Sequence, residues 1–364
     1  MTKPSFISAP ILEEFSTAVF ERVGITLDQA RIAAGVLVWA SLHGIDTHGL
    51  RNLKPMYIDP LAAGKIKRNA VCRVTYETPT SALVDGGSGL GLVAADWAMR
   101  LAIDKAEESG ICLISMRNSH HFGAAGYYSM LAVPKDMIGL SMSGYFFAEG
   151  SEYGVLPTFG TQPMLSTNPL SIAFPTGKEA PFLLDMATSI VPFNRVLMMK
   201  ESNQRVPLGW GLNSSGQPTQ DPVELCQLLP LGGSRQMGSH KGFGLGLMVE
   251  VLCAILSGGW VDTRQASKAT DFNRYKQHND AHFFGAIRLD LFRPADEFKK
   301  DMDALVGAIH AAPSAPGHDH LYYPGEIEHL TQENRTAKGI PITDSVWSDL
   351  QSLSEQYEVA LETG

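Results

Sequence analysis

The chain has 364 residues, 44% of them hydrophobic and 18% charged, a balance that fits a folded protein of about two domains and excludes a disordered or fibrous chain. Its 38 acidic residues outnumber the 29 basic ones, giving a net charge of −9 with no basic run, which argues against a nucleic-acid partner. The four cysteines, Cys72, Cys112, Cys226 and Cys253, form no C-x-x-C pair, so a reducing, cytoplasmic setting without disulfides is expected.

Apolar residues at helical spacing (Ile11, Leu12, Phe15, Val19, Phe20, Val23) predict a first helix, and Glu13 and Glu14 stand where a signal peptide would be apolar. Thr26, followed by Asp28 and Gln29, reads as the N-cap of a second helix reaching Leu42. A third is expected from Asp46 to about Leu61, ended by Gly64 and Lys65. From Val71 the texture changes: VCRVTYET and SALVDGG read as strands, residues 91–108 as a long amphipathic helix, and ICLISMR as a buried strand. IGLSMSG, SIAFP and FLLDMA are further short strands, separated by turn residues such as Asn168-Pro169 and Pro175-Thr176-Gly177. A glycine-rich helix follows Lys241. Its apolar stretch over residues 242–260 approaches the length of a membrane span, but Glu250 and the glycines favour a buried helix. HFFGAIRLDLF is another strand, and the tail from Asp296 is helical again, broken by AAPSAPGHDHLYYPGE. This order predicts an α/β chain with a helical segment over residues 1–70, an α/β core over 71–295, and a helical segment over 296–364 that packs back on the first.

Two glycine-rich stretches fail the dinucleotide fingerprint. DGGSGLGL offers Gly87 and Gly89 but Leu92 at the third position, and KGFGLGL offers Gly242 and Gly244 but Leu247. A Rossmann domain is therefore not expected. His48 and Arg51, three apart, would share a helical face, and a histidine beside an arginine suits acid/base work next to a carboxylate clamp; a surface helix end capped by Asp46 or Thr47 is the plain alternative. Arg117-Asn118-Ser119-His120-His121 at a strand end reads as a ligand-facing loop. His43, His48, His120 and His121 lack the spacing of a zinc motif, so no metal is expected there. Asp185 ends a strand as either a turn cap or a site residue. Lys241 before a helix N-terminus suits an anion such as a phosphate, or is a solvated side chain.

In order, HGIDTHGLRNL, VDGGSGLGLVAADWAM, MRNSHHFGAAGYY, STNPLSIAFP, LLDMATS, GWGLNSSGQPTQDP, GSHKGFGLGLMVEVL, HFFGAI, YYPGE and GIPI span residues 43–342. Together these stretches resemble the type-2 malate/L-lactate dehydrogenase family, which is distinct from the Rossmann dehydrogenases. The resemblance implies an α/β fold with a non-Rossmann mixed sheet as cofactor-binding core, flanked by helices from both termini, in a homodimer. It implies hydride transfer between NAD or NADP and a small 2-oxo/2-hydroxy acid, with a cyclic imino acid reductase as the alternative; a non-catalytic dinucleotide-binding protein is the rival outside enzymes. By position, His48 matches the proton donor, Asp185 the aspartate that orients it, and His121 a histidine near the nicotinamide. Met186, Ala187, Thr188, Lys241, Gly242, Gly325 and Glu326 match cofactor contacts. A carboxylate near His48 would raise its pKa and keep it protonated at neutral pH.

The chain departs from the family at three points. The family arginine falls four residues after the histidine, where this chain has Asn52; Arg51 stands one residue earlier and is expected to hold the substrate carboxylate. The family's Gly-Lys is Asn194-Arg195 here. The segment between Gly144 and Pro157 is longer, with Tyr145, Phe146 and Phe147, and the loop before Lys241 carries an extra Arg235.

Overall fold

The computed structural model describes residues 5–145, 154–259 and 280–362. The stretches that read as strands after residue 70 assemble into one seven-stranded sheet. Its members in spatial order are β2 (Arg73–Thr78), β3 (Ser81–Asp85), β4 (Ile111–Ser119), β11 (Asp280–Arg288), β5 (Met137–Gly144), β7 (Leu170–Phe174) and β8 (Phe182–Met186). Only β3 and β4 are parallel neighbours, joined by α4 (Gly91–Ser109); the other pairings are antiparallel. One βαβ unit inside an antiparallel sheet is not a doubly wound dinucleotide fold. The glycines of the two failed fingerprints have a packing role instead. A Cβ on Gly91 would lie 1.8 Å from the His120 carbonyl oxygen, and one on Gly242 2.3 Å from that of Leu231, so each lets a helix lie directly on a loop.

The main core fills one face of the sheet. The apolar side of α4 (Leu92, Ala95, Met99, Ala102) packs on Ile114, Met116 and Phe284, with α1 (Ala9–Arg22) and α2 (Leu27–Leu42) outside it. Thr26 occupies the N-cap of α2, but its hydroxyl makes no cap; its N–H is taken by Asn69 Oδ1 at 3.1 Å. On the other face lies α7 (Ser239–Glu250), which widens into a π-helical turn over Val251–Ile255 and packs Val249, Cys253 and Ala254 on Met142, Ala281 and Phe283. α7 begins at Ser239, so Lys241 stands within its first turn and not before it. Among the described residues no helix is long and apolar enough to cross a membrane. Trp260, Phe146 and Phe147 lie outside the described residues.

A small sheet of β6 (Gly154–Val155), β10 (Gln227–Leu228) and β9 (Gly211–Leu212) forms with α6 (Phe193–Glu201) a satellite core around Leu165, Val196, Val206 and Leu225. The tail supplies α8 (Ala295–His310), α9 (Glu326–Lys338), β12 (Ile340–Pro341) and α10 (Asp344–Tyr357). β12 pairs antiparallel with β1 (Phe6–Ile7), and Trp347, Leu350 and Leu353 join Phe15 and Val19 in the main core. Helices from both termini thus flank the sheet. All four cysteines are free thiols.

The expected helix from Asp46 is a correction. The chain turns through residues 45–49, makes a 3-10 turn at Leu50–Asn52, a π-helical turn at Leu53–Ile58, and only then a short α3 (Asp59–Ala62). The cause is close packing. A Cβ on Gly49 would lie 2.1 Å from Ser41 Oγ, and Leu50 N–H donates to that hydroxyl at 3.0 Å, so α2 holds the chain flat where a helix would have to start. His48 and Arg51 therefore do not share a helical face.

Candidate active site

The turn carrying His48 is fastened on three sides. Arg335 of α9 grips Asp46 with two bonds of 2.6 and 2.9 Å. Asn52 and Asn194 both donate to the Thr47 carbonyl, at 3.1 and 2.6 Å, and Asn194 also reaches Asn52 Oδ1. Thr47 Oγ1 lies 2.9 Å from His48 Nδ1, which leaves Nε2 for a ligand. Asn52, at the place of the family arginine, is thus a buried tie within this turn.

His121, on the loop after β4, stacks parallel to His48 with ring centres 5.6 Å apart. Its Nδ1 accepts Tyr57 Oη–H at 2.6 Å and Gly123 N–H at 3.3 Å, so the ring carries its proton on Nε2. Burial lowers His48 to about 4; burial, with His48 and His282 nearby, lowers His121 to about 3. Both rings are neutral at pH 7. The expectation that a carboxylate keeps His48 protonated is corrected. Asp185 accepts the Gly126 N–H of α5 (Ala125–Met130) at 2.7 Å, burial pushes it up to about 6, and no hydrogen bond joins it to His48 among the described residues.

Two cavities meet at His48, sharing Gly123, Thr167 and Pro169 as common wall. The first, about 430 Å³, is closed by His120, His121, Lys65, Tyr145, Ser143, Asn168 and Asp280. The second, about 410 Å³, runs along the end of β8 past Asp185, Met186, Ala187 and Ser189, with Ala124, Ala125 and Leu231 opposite. A group bound in each would meet at the His48 imidazole.

The chain belongs to the malate/L-lactate dehydrogenase family. Its family model matches residues 7–351. A malate dehydrogenase of Pyrococcus abyssi is 39% identical over 353 residues, 96% of this chain and 94% of that protein. An L-sulfolactate dehydrogenase of Methanocaldococcus jannaschii is 34% identical, over 94% of this chain and 95% of its own length. The crystal structure of malate dehydrogenase from Entamoeba histolytica superimposes with a TM-score of 0.91 at 33% identity, covering 99% of both chains. The chain is accordingly an oxidoreductase of the hydroxy-acid dehydrogenase type.

Within this dehydrogenase the expected residues divide. His48 and Asp185 share the second cavity, His48 and His121 the first, and Met186 and Ala187 line the second. Thr188 does not reach either cavity: it is buried, its hydroxyl donating to the carbonyls of Thr167 and Asn168. Gly242 meets the second cavity only through Leu231, and Lys241 is exposed. Gly325 packs against Leu183, and Glu326 turns to His310 and His320. Arg51 is directed elsewhere: its guanidinium pairs with Glu201 in a separate cavity of about 610 Å³ lined by Arg195 and Thr343. His43 stacks on Trp39 and donates Nδ1–H to its carbonyl, outside both cavities of the cleft.

Sequence reasoning missed Lys65, Tyr57, Asp280 and His282. Imidazoles aside, Lys65 is the one cation lining either cavity among the described residues. His282 bridges Ser143 and Ser119 at 3.0 and 2.9 Å and stacks on Phe122, bracing the loop that carries His121. The HFFGAI stretch contains it, but reads only as a strand. Lys65 and Tyr57 have no local signal, since each reaches the cleft only through the irregular 50–62 segment.

Proposed function

We propose that the chain is an NAD(P)-dependent dehydrogenase interconverting a small 2-hydroxy carboxylic acid and its 2-oxo acid. One observation carries this reading: a neutral, desolvated His48 stands at the junction of two cavities, each large enough for one partner of a hydride transfer. The residues of the second cavity suit a nicotinamide group, because Gly123, Ala124, Ala125, Ala187 and Ser189 give it a wall of small side chains. When bound there, the nicotinamide supplies the hydride acceptor or donor. Asp185, Met186 and Ala187 are its proposed contacts.

The substrate belongs in the first cavity, with its carboxylate toward Lys65 in place of Arg51. Neutral His48 accepts the hydroxyl proton at Nε2 as the carbon loses hydride, so the oxygen never carries a full charge. His121 Nε2–H is poised to donate a hydrogen bond into the same cavity. Asp185 and His48 both line the second cavity, and Asp185 is the proposed carboxylate beside the nicotinamide, with no hydrogen bond to His48 among the described residues. Reduction requires His48 to carry the proton it donates, a form that burial disfavours in the empty site.

The test is oxidation of NADH and NADPH with 2-oxo acids and cyclic imino acids, and the reverse reaction with 2-hydroxy acids, followed at the nicotinamide absorbance. Turnover of oxo acids supports the reading. Turnover of cyclic imines alone makes the chain an imino acid reductase, and tight dinucleotide binding with no turnover across the panel would make it a non-catalytic binder. A second copy of the chain is the proposed partner. Leu247, Met248, Val251, Ile255 and Leu256 form an exposed apolar stripe along α7 and its π-helical turn, a pattern that marks an interface. Sedimentation of Val251→Asp as monomer, against a dimeric parent, checks this.

A further inference from the structure

At the C-terminal rim of the cleft, three side chains that take no part in the proposed chemistry converge. His310 closes α8, His320 lies in the irregular loop that follows, and Glu326 is the first residue of α9. His310 Nε2 stands 3.1 Å from Glu326 Oε2 and His320 Nε2 2.8 Å from Glu326 Oε1. All three donor atoms lie within 4.8 Å of one another. Each imidazole thus turns the same nitrogen toward the same carboxylate.

We propose that His310, His320 and Glu326 form a binding site for a single divalent transition-metal ion, zinc by its donor set. Two imidazole nitrogens and a carboxylate are the ligands that zinc takes in three-ligand sites, and hard cations such as magnesium disfavour them. Ligands about 2.0 Å from a tetrahedral ion lie about 3.3 Å apart, close to the two spacings seen here. The carboxylate is already oriented: the Tyr323 N–H donates to Oε2 at 3.1 Å, the kind of outer hydrogen bond that fixes a ligand. Glu326 is nearly buried, with 12% of its side chain exposed, while His320 at 38% leaves an open side for entry and for a water as fourth ligand. No charge pairing with lysine or arginine competes for the carboxylate among the described residues.

The consequence is mechanical. The ion would tie the end of α8 to the start of α9 across the loop of residues 311–325, which has no regular structure. That loop is fastened to the sheet by Leu183 N–H donating to Pro324 O at 3.0 Å, and Glu328, two residues beyond the ligand, lines the second cavity. Metal occupancy would therefore stiffen one wall of the cleft.

The experiment uses untagged, chelator-stripped full-length protein titrated with Zn²⁺ alone, with Mg²⁺ as control. The site predicts one Zn²⁺ per chain at micromolar or tighter affinity, a rise in Tm, slower proteolytic nicking within residues 311–325, and no response to Mg²⁺. His320→Ala, at an exposed loop position, and His310→Ala should each keep the fold by circular dichroism, lower zinc affinity at least tenfold and abolish the Tm rise; Glu326→Gln should do the same. Co²⁺ should give the visible absorption of a low-coordinate site, lost in the same variants. Absence of stoichiometric zinc, or zinc bound equally by the parent and the His310→Ala/His320→Ala pair, would overturn the assignment and leave a hydrogen-bonded triad.

Discussion

The interior of the cleft and its C-terminal rim use the same residue types and shift their carboxylates in opposite directions. In the interior, His48 and His121 have hydroxyl and amide partners but no carboxylate, and burial lowers both. Nearby, Glu250 and Asp280 have no paired cation among the described residues: burial pushes each up to about 7, Glu250 reinforcing Asp280, and among those residues Glu250 Oε1 has no hydrogen-bond partner. At the rim, burial also opposes the charge on Glu326, but His310, His320 and the Tyr323 amide together outweigh it and its pKa is lowered. Desolvation drives a group neutral unless enough hydrogen bonds to its charged form outweigh it, as several do at Glu326 and a single one does not at Glu250 or Asp185. The interior is thus suited to moving a proton, the rim to holding a cation.

The sharpest break of this contrast is at His48. His48→Ala should lower turnover about 100-fold with NADH affinity retained, measured by steady-state kinetics and fluorescence titration. Near-normal turnover would mean that the neutral ring is only structural. Next is the carboxylate clamp. Lys65→Met should raise KM for 2-oxo acids about tenfold or more, the worth of a charge-assisted hydrogen bond, while Arg51→Met leaves KM unchanged. The opposite result would return the clamp to Arg51 and imply that its pairing with Glu201 opens when substrate binds.

Glu250 tests the interior carboxylates. Its folded pKa is raised, so the folded chain keeps a proton that the unfolded chain loses above about 4.5, and stability falls as pH rises from there to about 7. Glu250→Gln removes that loss. The variant should gain on the parent by on the order of 3 kcal/mol between pH 4.5 and 7 and no further above, read from urea unfolding. The smallest expected change is in rate. Asp280 and Asp185, raised to about 7 and 6, also line the cavities, so hydroxy-acid oxidation is compared in the parent and an Asp185→Asn/Asp280→Asn variant; the variant should fall off only as His48 protonates near pH 4. An acid limb near 6.5 that survives in that variant would mean that the ring is not held neutral by burial.

Much of the fold was legible because it rests on local pattern. The spacing of Leu12, Phe15 and Val19, the alternation after Val71 and the amphipathic run from Gly91 each mark an element whose apolar side must be buried. The segment after Asp46 was misread because its helical composition yields to one contact, Gly49 against Ser41 of the preceding helix, which no local pattern signals. The site was half legible: His48, His121 and Asp185 reach the cleft, whereas Arg51, three residues from His48, faces another cavity. His320 and Glu326 of GHDHLYYPGE read as a loop interrupting helices, because the third member of their cluster, His310, lies on a different element.

By itself the sequence determined that the chain is an α/β protein without a Rossmann fingerprint, and its ordered motifs marked the family and the histidine and aspartate of the cleft. Those properties depend on periodicity and on residue identity, which neighbours along the chain already define. Only the tertiary structure decided which imidazole nitrogen is left for a ligand, which cation lines the cleft, and which groups burial drives toward neutrality. Each of these depends on burial and on partners brought from distant elements: Tyr57 against His121, Gly126 against Asp185, His310 against Glu326. A pKa and a hydrogen bond are properties of surroundings, and a sequence names the groups without arranging what surrounds them.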